Sequence, residues 1–376
     1  MTPENRTRRG RCTVAIAALV LLLPATAWTW GSVGHRYIAS NYSQHLPAFI
    51  DGLQLYDSTV YAHVNDPDTR KSYTPGESEK HYIDIDWYPE FFTGTLSHDR
   101  AVLEAQYGAA VVTDLGVLPW AIGETVGVLT AQFQMQSWSS AAYTIADLCH
   151  YVGDANQPLH CTLNYNGQLT GQSGIHSRYE STMLGTYVGQ LSTPAMGVTY
   201  HADAVDAAFD VITPSWAGVA PVLDADLDAL DAAGGNYNST YYATLWNLTR
   251  DLTQARLDTA TVLTASLVYS AWQDAGRPTV PGSSAEVPHG PGALVRLTAG
   301  PSPCRDLLTV RFAGQGPLSV EVFDVRGARV ARLADGVSGE GSVTWRPGGS
   351  GAGPGLYFIR LRGPAVNLVR RVSVIG

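Results

Sequence analysis

The chemistry in this sequence is densest between His150 and Glu180. His150 and Asp154 stand four apart on the helix predicted for this stretch, so both leave one face with Cβ atoms about 5–6 Å apart and can reach one metal ion. Gln157 and Pro158 end that helix and turn the chain, which can return His160 to the same region. His176 and Glu180 repeat the spacing of four. Three nitrogen or oxygen ligands with one open position describe a catalytic zinc rather than a closed structural one, and a carboxylate between metals can bridge them.

Further groups lie upstream: Asp66 and Asp68 with Arg70 and Lys71, then His81 with Asp84 and Asp86, and Trp30 with His35 near the start. A freed α-amino group at Trp30 would be a good metal ligand when neutral, and its ordinary pKa near 8 makes that inexpensive. A lone histidine is more often an ordinary core or surface group than a ligand. No role is therefore given to His45, His63, His98, His201 or His289. The argument for a metal site comes from the set, in which three separate groups pair histidine with carboxylate.

The run from His150 to Glu180 resembles the bacterial zinc-dependent phospholipases C and the related single-strand-specific zinc nucleases of fungi and plants. The start from Trp30 to His35 is similar to the mature start of the nuclease branch. The run from His176 to Glu180 is closer to the phospholipase branch, which has Glu where the nucleases have Asp. The resemblance covers roughly residues 30–275 and implies a mainly α catalytic domain with three zinc ions. It assigns His81, His150, Asp154 and an upstream Asp to the first ion, and His160, His176 and Glu180 to the second. The third falls to the Trp30 amine and carbonyl, His35 and Asp154, so that Asp154 bridges. The separation from His81 fits Asp66 better as the upstream ligand and base, with Asp68 open. Arg70 is the candidate for neutralising charge on a phosphate, against an equal chance of a surface ion pair. Tyr82, beside His81, is the candidate platform for a base.

Several elements must position these groups. Residues 30–275 carry apolar positions at helical spacing, clearest over Ser139–Val152 and Asp251–Trp272. Gly276–Gly292 is a linker rich in Pro, Gly and Ser. Residues 293–376 break into short alternating runs at 307–312, 318–324, 329–333, 342–345, 356–361 and 369–374, which predict a small all-β sandwich. Pro301, Ser302 and Pro303, the segment Val322–Gly327 and the final strands resemble the C-terminal sorting domains of type IX secretion and similar immunoglobulin-like modules. That likeness implies secretion machinery as a partner.

Four arginines precede an apolar run, Thr13–Leu23, and a small-residue stretch, which reads as a signal peptide over residues 1–29. Cleavage after Ala27 would leave Trp28 at the front, and cleavage after Thr29 would leave Trp30. The expectation is a secreted or cell-surface protein with no stable membrane span once the signal is gone. The net charge of −9 becomes about −12 without residues 1–29, while residues 293–376, with eleven Arg and five acidic groups, carry about +6. The segment between is strongly acidic and does not attract a polyanion by long-range steering, so a bound phosphate must be held by local charge. Only two lysines occur, Lys71 and Lys80. Cys149, Cys161 and Cys304 are an odd set after Cys12 leaves, and buried packing is their expected role.

Three functions fit these features. The first is a zinc-dependent phosphodiesterase of phospholipase C type, favoured by Glu180 and the acidic charge. The second is a single-strand nuclease or nucleotidase, favoured by the start at Trp30. The third, of another class, is a secreted metal-binding or adhesion module without turnover, which would tolerate Glu180→Gln or His150→Ala.

Overall fold

The structure, a computed structural model, describes residues 31–193, 196–285, 296–300, 302–363 and 366–375. Trp30, the expected signal peptide and residues 286–292 of the expected linker lie outside the described residues.

Six helices frame the N-terminal part: α1 (Gly31–Asn41), α2 (Leu118–Gln134), α3 (Trp138–Ala155), α4 (Ala204–Trp216), α5 (Val219–Ala232) and α6 (Ser239–Asp274). Short turns of helix lie between them. The helix read from residues 139–152 is α3, and the one read from 251–272 is the C-terminal two-thirds of α6. That longer helix begins where the Asn238 side chain accepts from the backbone N–H groups of Thr240 and Tyr241, a cap that stops it from fraying. At 36 residues it is about 54 Å long and lies along α5, α3 and α2.

The central element is α3. From Leu148 to Ala155 every residue is buried, so this half of the helix has no solvent face. Helices α1, α2 and α6 pack around it. Gly153 permits the close approach of α1. A Cβ there would lie 2.9 Å from both the His35 Nδ1 and the Ile38 Cδ1 of α1.

The C-terminal part is one antiparallel sheet folded over on itself: β1 (Arg296–Gly300), β2 (Leu308–Asp324), β3 (Arg329–Trp345), β4 (Gly355–Gly363) and β5 (Val366–Val374). β2 pairs with β3 along its length. Its first half also pairs with β1 and its second half with β4, which pairs with β5. The register between β2 and β3 shifts between Gly314 and Leu318 and again further along β2. Phe312, Val320, Trp345, Ile359, Leu361 and Val372 fill the space enclosed. The runs read as separate strands at 307–312 and 318–324 are therefore one strand, as are those at 329–333 and 342–345. Their glycines mark bends and bulges rather than turns.

Polar contacts join the two parts. Arg370 of β5 bonds Asp206 of α4, which also accepts from His98 Nδ1 at 2.7 Å, and Arg371 lies 3.8 Å from Asp210. The described start of the linker is pinned to the helical part by Ala285 N–H to the Ala48 carbonyl at 3.0 Å and Ser284 N–H to Asp51 at 2.7 Å. Among the described residues no helix is long and apolar enough to cross a membrane.

Candidate metal centre

Six segments bring donors together at the C-terminal half of α3, among them the short helix Asp66–Arg70 that carries Asp68. Helix α1 carries His35, and its first residue, Gly31, sits at φ +39° against Ser181 and the Glu180 carbonyl. A Cβ at Gly31 would meet those atoms at 2.9–3.2 Å, so both the conformation and the space favour glycine. The turn Ser78–His81 presents His81. Helix α3 presents His150 and Asp154. The turn Pro158–His160 opens where the Gln157 side chain accepts from the Leu159 N–H at 2.6 Å, and it returns His160 to the helix it follows. His176 and Glu180 come from a helical turn, Ile175–Ser177, that runs into a π-helical turn, Arg178–Met183.

These donors form two sets, and a third group of His35, His150 and Asp154 overlaps the first. In the first, His81 Nδ1 lies 3.0 Å from Asp154 Oδ2, 3.1 Å from His150 Nε2 and 3.8 Å from Asp68 Oδ1. His150 Nε2 lies 3.4 Å from Asp154 Oδ2 and 3.6 Å from Asp68 Oδ1. In the second, His160 Nε2 and His176 Nε2 face each other at 3.1 Å, with Glu180 Oε2 at 3.4 and 3.0 Å. Asp154 serves the first set and the group beside it: Oδ2 faces His81 and His150, the other oxygen, Oδ1, lies 3.5 Å from His35 Nε2, and the second set stands next to it with His160 Nδ1 at 3.3 Å from Oδ1.

The hydrogen bonds fix which nitrogens carry lone pairs. His150 Nδ1 donates to the Val64 carbonyl at 2.7 Å, His160 Nδ1 to the His81 carbonyl at 2.7 Å, and His176 Nδ1 to the Tyr165 carbonyl at 3.1 Å. A carbonyl only accepts, so Nδ1 holds the proton and each Nε2 is left as a bare acceptor. In the second set two such nitrogens and a carboxylate oxygen converge on one point. Three acceptors so placed repel one another unless a cation lies between them. The second carboxylate oxygen, Glu180 Oε1, is buried and accepts no hydrogen bond. Donors held about 2.0–2.1 Å from a tetrahedral zinc stand about 3.3–3.4 Å apart, close to the separations here. The donor set therefore fits zinc.

Electrostatics agree with this reading. Burial keeps His35, His81 and His150 well below the ordinary imidazole value, so they remain neutral and able to ligate. Burial would raise Glu180, but His176 and His160 outweigh it and hold the carboxyl down at about 2. Burial would likewise lower His176, but the Glu180 charge outweighs it and raises the imidazole above its ordinary value.

Three expected site residues stand elsewhere. Asp66 does not join either set. Its carboxylate accepts from His63 Nδ1 at 2.7 Å, with about half its side chain in solvent. Asp68 takes the place considered for it, facing His81 and His150 with its side chain 10% exposed. Arg70 does not face the donors either. Its guanidinium donates to Asp147 of α3 at 2.9 and 3.1 Å, to Glu77 and to Tyr151 of α3. The Tyr82 hydroxyl is spent on the Asp114 carbonyl at 3.1 Å, so only its ring is free to receive a base. Two groups were not singled out. Lys71 binds Asp68 Oδ1 at 2.7 Å, and its charge is felt by His81, His150 and His176. The Tyr165 ring, half exposed, lies 6.0 Å from that of His176. Cys149 and Cys161 are buried, unpaired thiols, as is Cys304.

The two neighbouring aspartates give a sharp comparison. Asp68→Asn should weaken zinc binding at the first set by about 100-fold or more, whereas Asp66→Asn should leave it unchanged. Competition with a chromogenic chelator checks both. Equal effects would return Asp66 to the site.

Asp84 differs from these donors. Burial and then the neighbouring Asp86 charge push its carboxyl up to about 7. A carboxyl raised on folding stabilises fully below the unfolded value near 4, and that stability is lost as pH rises through 7. Asp84→Asn in chelator-treated protein should thus raise stability by about 1–2 kcal/mol at pH 8, discounted for partial exposure, and by almost nothing at pH 4.5. Urea unfolding at the two pH values measures the difference.

No protein-family model matches this chain, and no curated protein matches it by sequence. Among solved structures, the chain is similar to the alpha-toxin of Clostridium perfringens avian strain SWCP, with a TM-score of 0.44 and 10% identity over 93% of this chain and 92% of that one. It is also similar to the alpha toxin of Clostridium absonum, with a TM-score of 0.39 and 11% identity over 91% and 96%. Both scores are too low to argue from, and the chemistry of the site rests on its own geometry.

Proposed function

We propose that this protein is an exported zinc-dependent phosphodiesterase, of phospholipase C type. One observation carries the reading: nitrogen and oxygen acceptors 3.0–3.8 Å apart gather in neighbouring groups, with the carboxylate of Asp154 facing His81 and His150 through one oxygen and His35 through the other, and His160, His176 and Glu180 beside it. Paired metals about 3.5–4 Å apart are the usual means of stabilising both the attacking and the leaving oxygen of a phosphate ester. Zinc supplies Lewis-acid charge for the phosphate and a nucleophile from water near neutral pH.

The chain's own residues do the rest. The carbonyls of Val64, His81 and Tyr165 fix three imidazoles in one tautomer and orientation, which lowers the cost of reorganisation at the site. Burial of the donors keeps bulk water from screening their charge. Lys71 brings a fixed positive charge to the edge of the first set and takes over the role considered for Arg70, offsetting charge on a phosphate oxygen. The side chain of Lys71 is 20% exposed. A lipid phosphodiester rather than a polynucleotide suits the acidic charge of the helical part. Export rests on the N-terminal signal, and the β part serves as the address or an accessory module.

The deciding assay is hydrolysis of phosphatidylcholine and of single-stranded DNA in parallel, with zinc and after chelation. Zinc-dependent release of phosphocholine alone is expected. Cleavage of DNA alone would replace the lipid reading by the nuclease one and point to the Tyr82 and Tyr165 rings as base platforms. No turnover by zinc-loaded protein would leave a metal-binding module.

A further inference from the structure

We infer that Arg178, clamped to Asp226, is a positioning residue for the second donor set. The inference rests on the metal-centre reading above and adds a residue to it. Arg178 stands between the two ligands His176 and Glu180, yet its guanidinium bonds elsewhere. Nε and Nη2 donate to the Asp226 carboxylate of α5 at 3.0–3.2 Å. Nη1 donates to the Ser173 carbonyl at 2.9 Å and Nη2 to the Gln172 carbonyl at 3.1 Å. Asp226 is 1% exposed and also accepts from the Gln172 amide at 2.9 Å and from the Tyr241 hydroxyl of α6. The Tyr237 ring covers the guanidinium at 4.2 Å.

The geometry gives this clamp a purpose beyond packing. Glu180 sits on a π-helical turn, which is a less stable arrangement than an α-helix and persists where its surroundings impose it. The clamp ties the segment just before His176 and the first residue of the π turn to two long helices. Both ligands are thereby fixed relative to His160, which comes from a different segment. The three acceptors of this set repel one another, so an unclamped turn would swing Glu180 or His176 outward. The first set receives nothing from this clamp, since its donors come from α3 and from the segments carrying Asp68 and His81.

A buried ion pair that merely held α5 in place would weaken the whole domain when broken. The two roles separate by which donors lose metal. Arg178→Lys keeps the charge but loses the planar fork that serves a carboxylate and two carbonyls together. Full-length mature protein is stripped with chelator and titrated with zinc, and separately with cobalt(II), whose visible absorption reports each set. Glu180→Gln marks loss of the second set and Asp68→Asn loss of the first. Arg178→Lys should bind metal about 10–100-fold more weakly at the second set while the first is unchanged. Tyr237→Leu, at a half-exposed position, removes the covering ring without leaving a buried charge. It should weaken the second set by about threefold, and it carries the test if Arg178→Lys does not fold. Affinities equal to wild type in a folded variant would overturn the role of the clamp, as would an equal weakening of both sets with a lower metal-free Tm. A wild-type protein that binds no metal would overturn the metal-centre reading itself, and the clamp with it.

Discussion

Asp154→Asn should cost the protein more than any other single change at the centre. Its two oxygens serve different partners: Oδ2 faces His81 at 3.0 Å and His150 at 3.4 Å, while Oδ1 faces His35 at 3.5 Å. Replacing one oxygen by an NH2 group puts a donor where a ligand is needed and removes the charge that both sides share. Bound zinc should fall by more than one equivalent by elemental analysis. Phosphodiester hydrolysis should fall by about 10³-fold or more, since a metal is worth several kcal/mol of charge stabilisation. Glu180→Gln provides the control, because it touches only the second set and should release one ion. An Asp154→Asn variant with wild-type zinc would show that the carboxylate does not bridge.

The second large effect concerns stability. Removing metal leaves His160 and His176 with bare nitrogens 3.1 Å apart inside the fold. Ligation is therefore expected to contribute folding free energy as well as chemistry. An ion present at about a thousand times its Kd stabilises by about 4 kcal/mol, and a domain of this size shifts by about 2–4 °C per kcal/mol. Chelation of two ions should lower Tm by about 15–30 °C, and zinc should restore it. A thermal scan with and without chelator gives the answer, and an unchanged Tm would remove the metals from the account of the fold.

The site residues differ in how legible they were, and for physical reasons. His150 with Asp154 and His176 with Glu180 were legible because a spacing of four puts two side chains on one helix face whatever surrounds the helix. The choice between Asp66 and Asp68 was not legible. They lie two apart on one short helix, so they point in nearly opposite directions. Which of them turns inward depends on how that helix packs on α3, and no local pattern states that. Arg70 and Lys71 part for the same reason, since adjacent positions differ by about 100°: Arg70 takes the ion-paired alternative with Asp147 and Glu77, and Lys71 reaches Asp68. In the β part, the strands were legible from alternation. The long bent strands were not, because glycines at a bend read locally like glycines at a turn and only the partner strand maintains the register.

Gly153 has a consequence for anyone who would make this protein more robust. Alanine in the middle of a helix is ordinarily worth about 0.5–1 kcal/mol over glycine, so a search for stabilising changes would choose this position early. Here the added methyl group would need the space held by His35 and Ile38. The helix would gain in regularity, and α1 would be levered away from Asp154. The width of the centre is thus set by a missing carbon atom, and the protein keeps a weaker helix so that a second one can reach the same carboxylate.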